Sequence, residues 1–231
     1  MTVWREFAAF AGDARLVAAK DLRIEWRART ALGQVLPFAV LVLVLFGFAL
    51  DANRPTLRLA TPGLLPMTAL FATVVAVQRS VAVESADGAR RMLLLSGMAP
   101  AAAFAGKAAA VAVQLLIVTA LLVPGVVLLY DATIESVPLV VATCVAATAG
   151  LAAAGSLLGA VVAGARAHQT VLPILLLPVS APVLIAATRA FAGGFGTVAV
   201  NGWPWVWLLA GFAAVNAVVG AVAYGPLLED M

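Results

Sequence analysis

Long apolar runs separated by short charged interruptions set the layout of this chain. A transmembrane helix needs about 20 predominantly apolar residues. On that measure the pattern predicts six spans, at about 32–50, 60–77, 103–130, 138–165, 170–188 and 205–224. The first ends at a turn, Asp51-Ala-Asn-Arg-Pro55, and the second starts with Pro62-Gly63. In the third, Pro124-Gly125 is expected to kink the helix or end its regular part. The fourth carries Gly155-Ser-Leu-Leu-Gly159, a small-xxx-small face that lets helices approach closely. Pro173, Pro178 and Pro182 fall within the fifth. Three lost backbone donors predict a kinked or broken helix supported by protein neighbours. The apolar, glycine-rich stretch 190–202 is too short to span and is expected to dip back into the membrane or lie on its surface. Trp203, Trp205 and Trp207 then sit where an interfacial belt belongs.

Two segments depart from the spanning pattern. In residues 1–30 short apolar pieces alternate with charges, and Phe7, Phe10, Ala14, Val17 and Ala18 fall on one helical face. That periodicity predicts a helix lying in the headgroup layer. The second is Val77 to Pro100, the longest charged interruption after the N-terminal residues, with Arg79, Glu84, Asp87, Arg90 and Arg91. Asp87-Gly88 is a turn signal. It divides the segment into an extension of the second span and a short helix, Ala89 to Ser96, with Gly97 as its stop and Pro100 beyond. Met92, Leu93 and Leu95 would form an apolar knob beside Arg90 and Arg91, suited to docking a soluble partner. A plain loop kept positive to fix topology is the other reading.

Composition agrees with a membrane protein. Of 231 residues, 64% are hydrophobic and 11% charged, against about 25% charged in a soluble domain. The excess of 14 Lys and Arg over 11 Asp and Glu reports on topology rather than on nucleic acid. With the N-terminus inside, six basic residues fall in 1–30, four in 79–107 and one at Arg166, while Arg54, Arg58 and Arg189 fall outside. Eleven against three predicts cytoplasmic termini and a cytoplasmic 79–100 loop. No secretory signal is expected, since the first apolar run is long and lacks a small-residue cleavage site. Cys144 is the only cysteine, which excludes a disulfide framework.

No catalytic set emerges. Gly106-Lys107 ends like a phosphate-binding loop, but Ala101 stands at the first glycine and Ala108 at the Ser/Thr, and no strand precedes it. His168, the only histidine, has no carboxylate or cysteine near it in sequence. Glu84 and Asp87, three residues apart, suit capping or solvated charge better than a metal. The spans other than the third carry no deep ionisable residue, which argues against a proton- or sodium-coupled carrier. The expectation is an all-α integral membrane protein of one permease domain, without an ATP-binding motif or enzymatic activity of its own.

The run Q-R-S-x-x-x-E-x-x-D-G-A at Gln78 to Ala89, the L-L-L-S at Leu93 to Ser96, and Gly106-Lys107 resemble the CcmB family of haem exporter permeases in cytochrome c maturation. The proline-bearing LPILLLPVSAPVLIAA at Leu172 to Ala187 is similar to that family's fifth span. Lys20-Asp-Leu-Arg-Ile-Glu-Trp-Arg27 is similar to its N-terminal signature, and Thr61-Pro-Gly63 to the start of its second span. The matches keep their order over nearly the whole chain. Arg90 and Arg91 depart from it, since family members carry an aliphatic residue and then an acid there; an aromatic is also missing near Val81.

The resemblance implies a six-span permease of the type-2 ABC exporter kind in the cytoplasmic membrane. It would work as a homodimer with two soluble ATPase subunits, a haem-handling membrane protein and a periplasmic haem chaperone. Haem enters as substrate rather than as a bound cofactor. Contact with the ATPase would fall on Glu84, Asp87, Gly88, Arg90, Arg91, Met92, Leu93, Leu95 and Arg166. Pro173, Pro178 and Pro182, with 190–202, would form a gated outer side. Whether haem itself passes through this subunit, or ATP serves to release haem-loaded chaperone, is left open. So are a type-2 permease for another amphiphile and a non-transporting scaffold.

Overall fold

The computed structural model describes residues 2–28, 36–86, 97–163 and 168–229. These form seven helices: α1 (Thr2–Ala28), α2 (Leu36–Ala49), α3 (Arg54–Ala86), α4 (Pro100–Tyr130), α5 (Val137–Val162), α6 (His168–Gly194) and α7 (Trp203–Glu229). Helices α3 to α7 are each long and apolar enough to cross a membrane, and α2 is a shorter apolar helix of 14 residues. The protein is an all-α integral membrane protein, as its pattern predicts. In hydrocarbon every backbone N–H and C=O must be satisfied within its own segment, and helices do this.

The helices differ from the expected spans mainly at their ends. Helix α3 begins at Arg54 and continues to Ala86, 33 residues in all, or about 50 Å at 1.5 Å per residue. It outreaches the hydrocarbon and carries Arg79 on the extension of the second span that the turn at Asp87-Gly88 predicts. Helix α4 passes through Pro124 without ending. Helix α6 is likewise continuous across Pro173, Pro178 and Pro182, so the expected break is absent. Each proline removes one i→i−4 bond, and the intervening residues keep the ladder in register. The helix absorbs Ala190 to Gly194 as well. Only 195–202 lie outside helix between α6 and α7, so the stretch expected over 190–202 to dip back or lie on the surface shortens to that connection.

Helix α5 is the hub, packing against α3, α4, α6 and α7. Its Gly155 and Gly159 allow this. A Cβ on Gly155 would lie 2.9 Å from methyls of both Thr73 and Val77, and one on Gly159 would lie 2.6 Å from Val77. The small-xxx-small face is therefore a helix contact between α3 and α5. Helix α2 is peripheral, touching α3 and α4 and exposing Leu41, Leu45 and Phe48.

The buried hydroxyls of the core follow one rule. Thr61, Thr68, Thr73, Thr119, Thr143, Thr148 and Ser180 are buried, and each hydroxyl donates to the carbonyl four residues earlier. This back-bonding satisfies a hydroxyl where no water reaches it. It also removes all seven as free nucleophiles.

Candidate functional site

Connectivity gives the bundle two ends of different chemistry. One gathers α1, the C-termini of α3, α5 and α7, and the N-terminus of α4. The other gathers the connections 50–53, 131–136 and 195–202. The first holds residues 79–86 and 97–107, which flank the expected partner contact.

At that end the apolar face predicted for α1 is put to use. Val17 is buried, and it packs with Ala14 where α1 crosses α4. The crossing depends on Gly106, where a Cβ would lie 2.5 Å from the Ala14 carbonyl oxygen and 2.7 Å from the Val17 Cβ. The Gly106-Lys107 pair that imitates a phosphate loop thus lies inside a helix, near the start of α4, with Gly106 at its contact with α1. A second tie comes from Arg79 of α3, whose Nε lies 3.0 Å from Oε2 of Glu25. The N–H does not point along that line as a hydrogen bond, so the pair acts by charge. Both side chains are largely shielded, Glu25 more than Arg79. Beside them Phe104 packs on Tyr224 with ring centroids 5.8 Å apart, closing α4 onto α7. Leu157 and Ala160 of α5 support the same cluster.

Of the expected partner-contact residues, Asp87, Gly88, Arg90, Arg91, Met92, Leu93, Leu95 and Arg166 lie outside the described residues, as does the short helix Ala89 to Ser96. Glu84 lies on the last turns of α3, where the backbone alone is described. Gly97 takes the left-handed conformation, with φ +66°, which glycine adopts without the Cβ penalty. Pro173 is half-buried in α6, while Pro178 and Pro182 share an exposed face. The three are strung along one helix rather than gathered at one point: Pro173 lies in the second turn of α6, toward the end that gathers α1, and Pro182 near the helix midpoint.

The opposite end is held by polar ties. Asp131 pairs with Arg58 and lies 3.6 Å from Arg54. The backbone N–H groups of Glu135 and Ser136 both donate to the Gly194 carbonyl, each at 3.0 Å. The buried Tyr130 hydroxyl donates to the Leu43 carbonyl at 2.6 Å. Trp203 and Trp207 are exposed at the start of α7.

Among the described residues no group of three or more His, Cys, Asp or Glu could hold a metal ion. Chemically the described body offers packing, charge ties and an apolar cleft of about 530 Å³. Phe10, Phe104 and small residues of α4, α5 and α7 line that cleft.

Two contacts were missed at the sequence level. The Arg79–Glu25 pair joins one residue read for topology with one inside the Lys20 to Arg27 run, and Gly106 reads only as a rejected phosphate loop and a family-like position. Helical phase was the usable signal. With α3 continued past residue 77, Arg79 falls on a helix face that can meet α1.

Residues 14–229 match the family described as CcmB protein. The chain is similar to Heme exporter protein B of Paracoccus denitrificans, 30% identical over 175 residues that cover 76% of this chain and 80% of the relative. It is also similar to Heme exporter protein B of Pseudomonas aeruginosa, 25% identical over 175 residues that cover 76% of this chain and 78% of the relative. With a family match running nearly end to end on an all-helical membrane body, the chain belongs to the CcmB family.

Proposed function

We propose that this protein is the permease subunit of a haem-exporting ABC complex in cytochrome c maturation. It would convert ATP hydrolysis on a separate chain into haem export or release of haem-loaded chaperone. The observation that carries the reading is membership of the CcmB family over residues 14–229, together with relatives named Heme exporter protein B. In this reading the chain works as a homodimer with two ATPase subunits, alongside a haem-handling membrane protein and a periplasmic haem chaperone. It lies in the cytoplasmic membrane with both termini and the α1 end inside, following the bias of basic residues. Helix α1 lies in the headgroup layer, docked on α4 through Ala14 and Val17.

The ATPase pushes on the segment 79–100, through Glu84, Asp87, Gly88, Arg90, Arg91, Met92, Leu93 and Leu95, with Arg166 beside it. Glu25–Arg79 and the α1–α4 crossing would carry that push into the bundle. Pro173, Pro178 and Pro182 would let α6 gate the outer side. Gating requires two conformations that ATP binding biases differently.

The test is charge reversal at Arg90 and Arg91. The variant is expected to extract as a folded membrane protein, fail to recruit or stimulate the ATPase, and lose cytochrome c maturation. Normal recruitment and normal maturation would refute the assignment of that segment. ATPase rates of the purified complex with and without haem or chaperone separate a coupled permease from a passive scaffold, whose rate would not respond.

A further inference from the structure

At the end opposite α1, the geometry points to a binding site for the anionic headgroup of an amphiphile, a phosphate or carboxylate held by Arg54 and Arg58. The two arginines stand at i and i+4 on the first turns of α3, where the helix dipole already makes the potential positive. Cations are disfavoured at such a terminus, and the first turn of α3 carries no acidic residue. Asn53 accepts a hydrogen bond from the Thr56 N–H at 3.2 Å, so the helix is capped without recourse to the arginines.

Among the described residues a single carboxylate answers both guanidinium groups. Asp131 pairs with Arg58 and, more loosely at 3.6 Å, with Arg54. Glu135 folds over Gly196, which borders the pocket. Asp131 engages one terminal nitrogen of Arg58, and Arg54 stands 3.6 Å from that carboxylate, beyond hydrogen-bonding distance. Guanidinium forks with terminal donors left over are suited to a phosphate or carboxylate taken bidentately.

The surroundings select an amphiphile. The arginines, Asp131, Leu59 and Phe195 border one pocket of about 480 Å³, so polar and apolar walls meet in it. Trp203 and Trp207 are exposed at the same end of the bundle, and tryptophan collects at headgroup depth. The ligand's charged group would compete with Asp131 for the arginines while its apolar part rests against Leu59 and Phe195. Occupancy would thereby loosen the tie between the start of α3 and the 131–136 connection.

The full chain, purified with whatever subunits accompany it, is tested by native mass spectrometry against phosphatidylglycerol and phosphatidylcholine, with inorganic phosphate as competitor. Phosphatidylglycerol is expected to be retained at least about tenfold more tightly. R54Q/R58Q should abolish the preference, and Asp131→Asn should widen it by removing the competing carboxylate. Displacement of the lipid by millimolar phosphate would assign the site to free anions, and resistance to it would assign the site to lipid headgroups. Equal retention of the two lipids by the wild type would overturn the site, as would a preference that survives R54Q/R58Q. If the double variant does not fold, R54K/R58K keeps the charge without the fork and should lower the preference; an unchanged preference would again overturn the site. Lipid retention needs neither ATPase nor haem, so failure here leaves the permease reading intact, and the converse also holds.

Discussion

Replacing Gly106 with alanine tests how α1 is attached to the membrane body. The added Cβ would stand 2.5 Å from the Ala14 carbonyl oxygen and 2.7 Å from the Val17 Cβ, well inside the separation of about 3.5–4.0 Å at which carbon atoms attract best. The obstruction is helix backbone and a Cβ, neither of which can rotate away, so α1 as a whole must retreat by about 1 Å. Overpacking of this kind costs about 1–3 kcal/mol, and alanine's advantage over glycine inside a helix offsets about 0.5–1 kcal/mol. A net loss near 1.4 kcal/mol corresponds to about a tenfold change in equilibrium. Hydrogen exchange should therefore speed up in α1 by roughly that factor, while α5 and α7 keep their protection. Gly12→Ala is the control, since a Cβ there meets nothing within 4 Å; its α1 exchange should be unchanged or slower. Wild-type protection of α1 in the G106A protein would refute the close crossing.

Two further outcomes follow from single contacts. Tyr130→Phe removes the buried hydroxyl that reaches the Leu43 carbonyl at 2.6 Å. It should lower stability by about 1 kcal/mol, read as a lower thermal midpoint in detergent; no change would refute a stabilising bond from that hydroxyl to Leu43. Pro178→Ala restores a backbone donor in a helix that is already continuous. Because proline inside a helix costs about 3 kcal/mol relative to alanine, the variant should raise the thermal midpoint and, if α6 gates, lower maturation activity. A lowered midpoint would refute an unbroken α6.

Much of the fold is legible in the residues because transfer into hydrocarbon depends on length and apolarity, both local. The runs now seen as α3 to α7 could be placed before any helix was packed, although their ends could not. Helix ends answer to caps and neighbours rather than to hydropathy. The turn at Asp87-Gly88 marked the extension of α3 but not the meeting of Arg79 with Glu25, and α6 runs past Thr188 to Gly194. The three prolines of α6 read locally as interruptions, because a single chain shows the lost hydrogen bonds and not the ones that persist around them.

The expected partner-contact segment could be located from charge and turn signals alone. Its chemistry rests on Arg90 and Arg91, whose meaning depends on the partner. The tertiary structure added pairings between distant positions: Gly106 under Ala14, Tyr130 on Leu43, and Asp131 between Arg54 and Arg58. Apolar pattern says which face of a helix avoids water. In a membrane that face can meet lipid or protein at similar cost, so packing chooses between them. Close packing in turn depends on where small residues and compensating charges coincide in space. For α1 the outcome was α4, through one glycine.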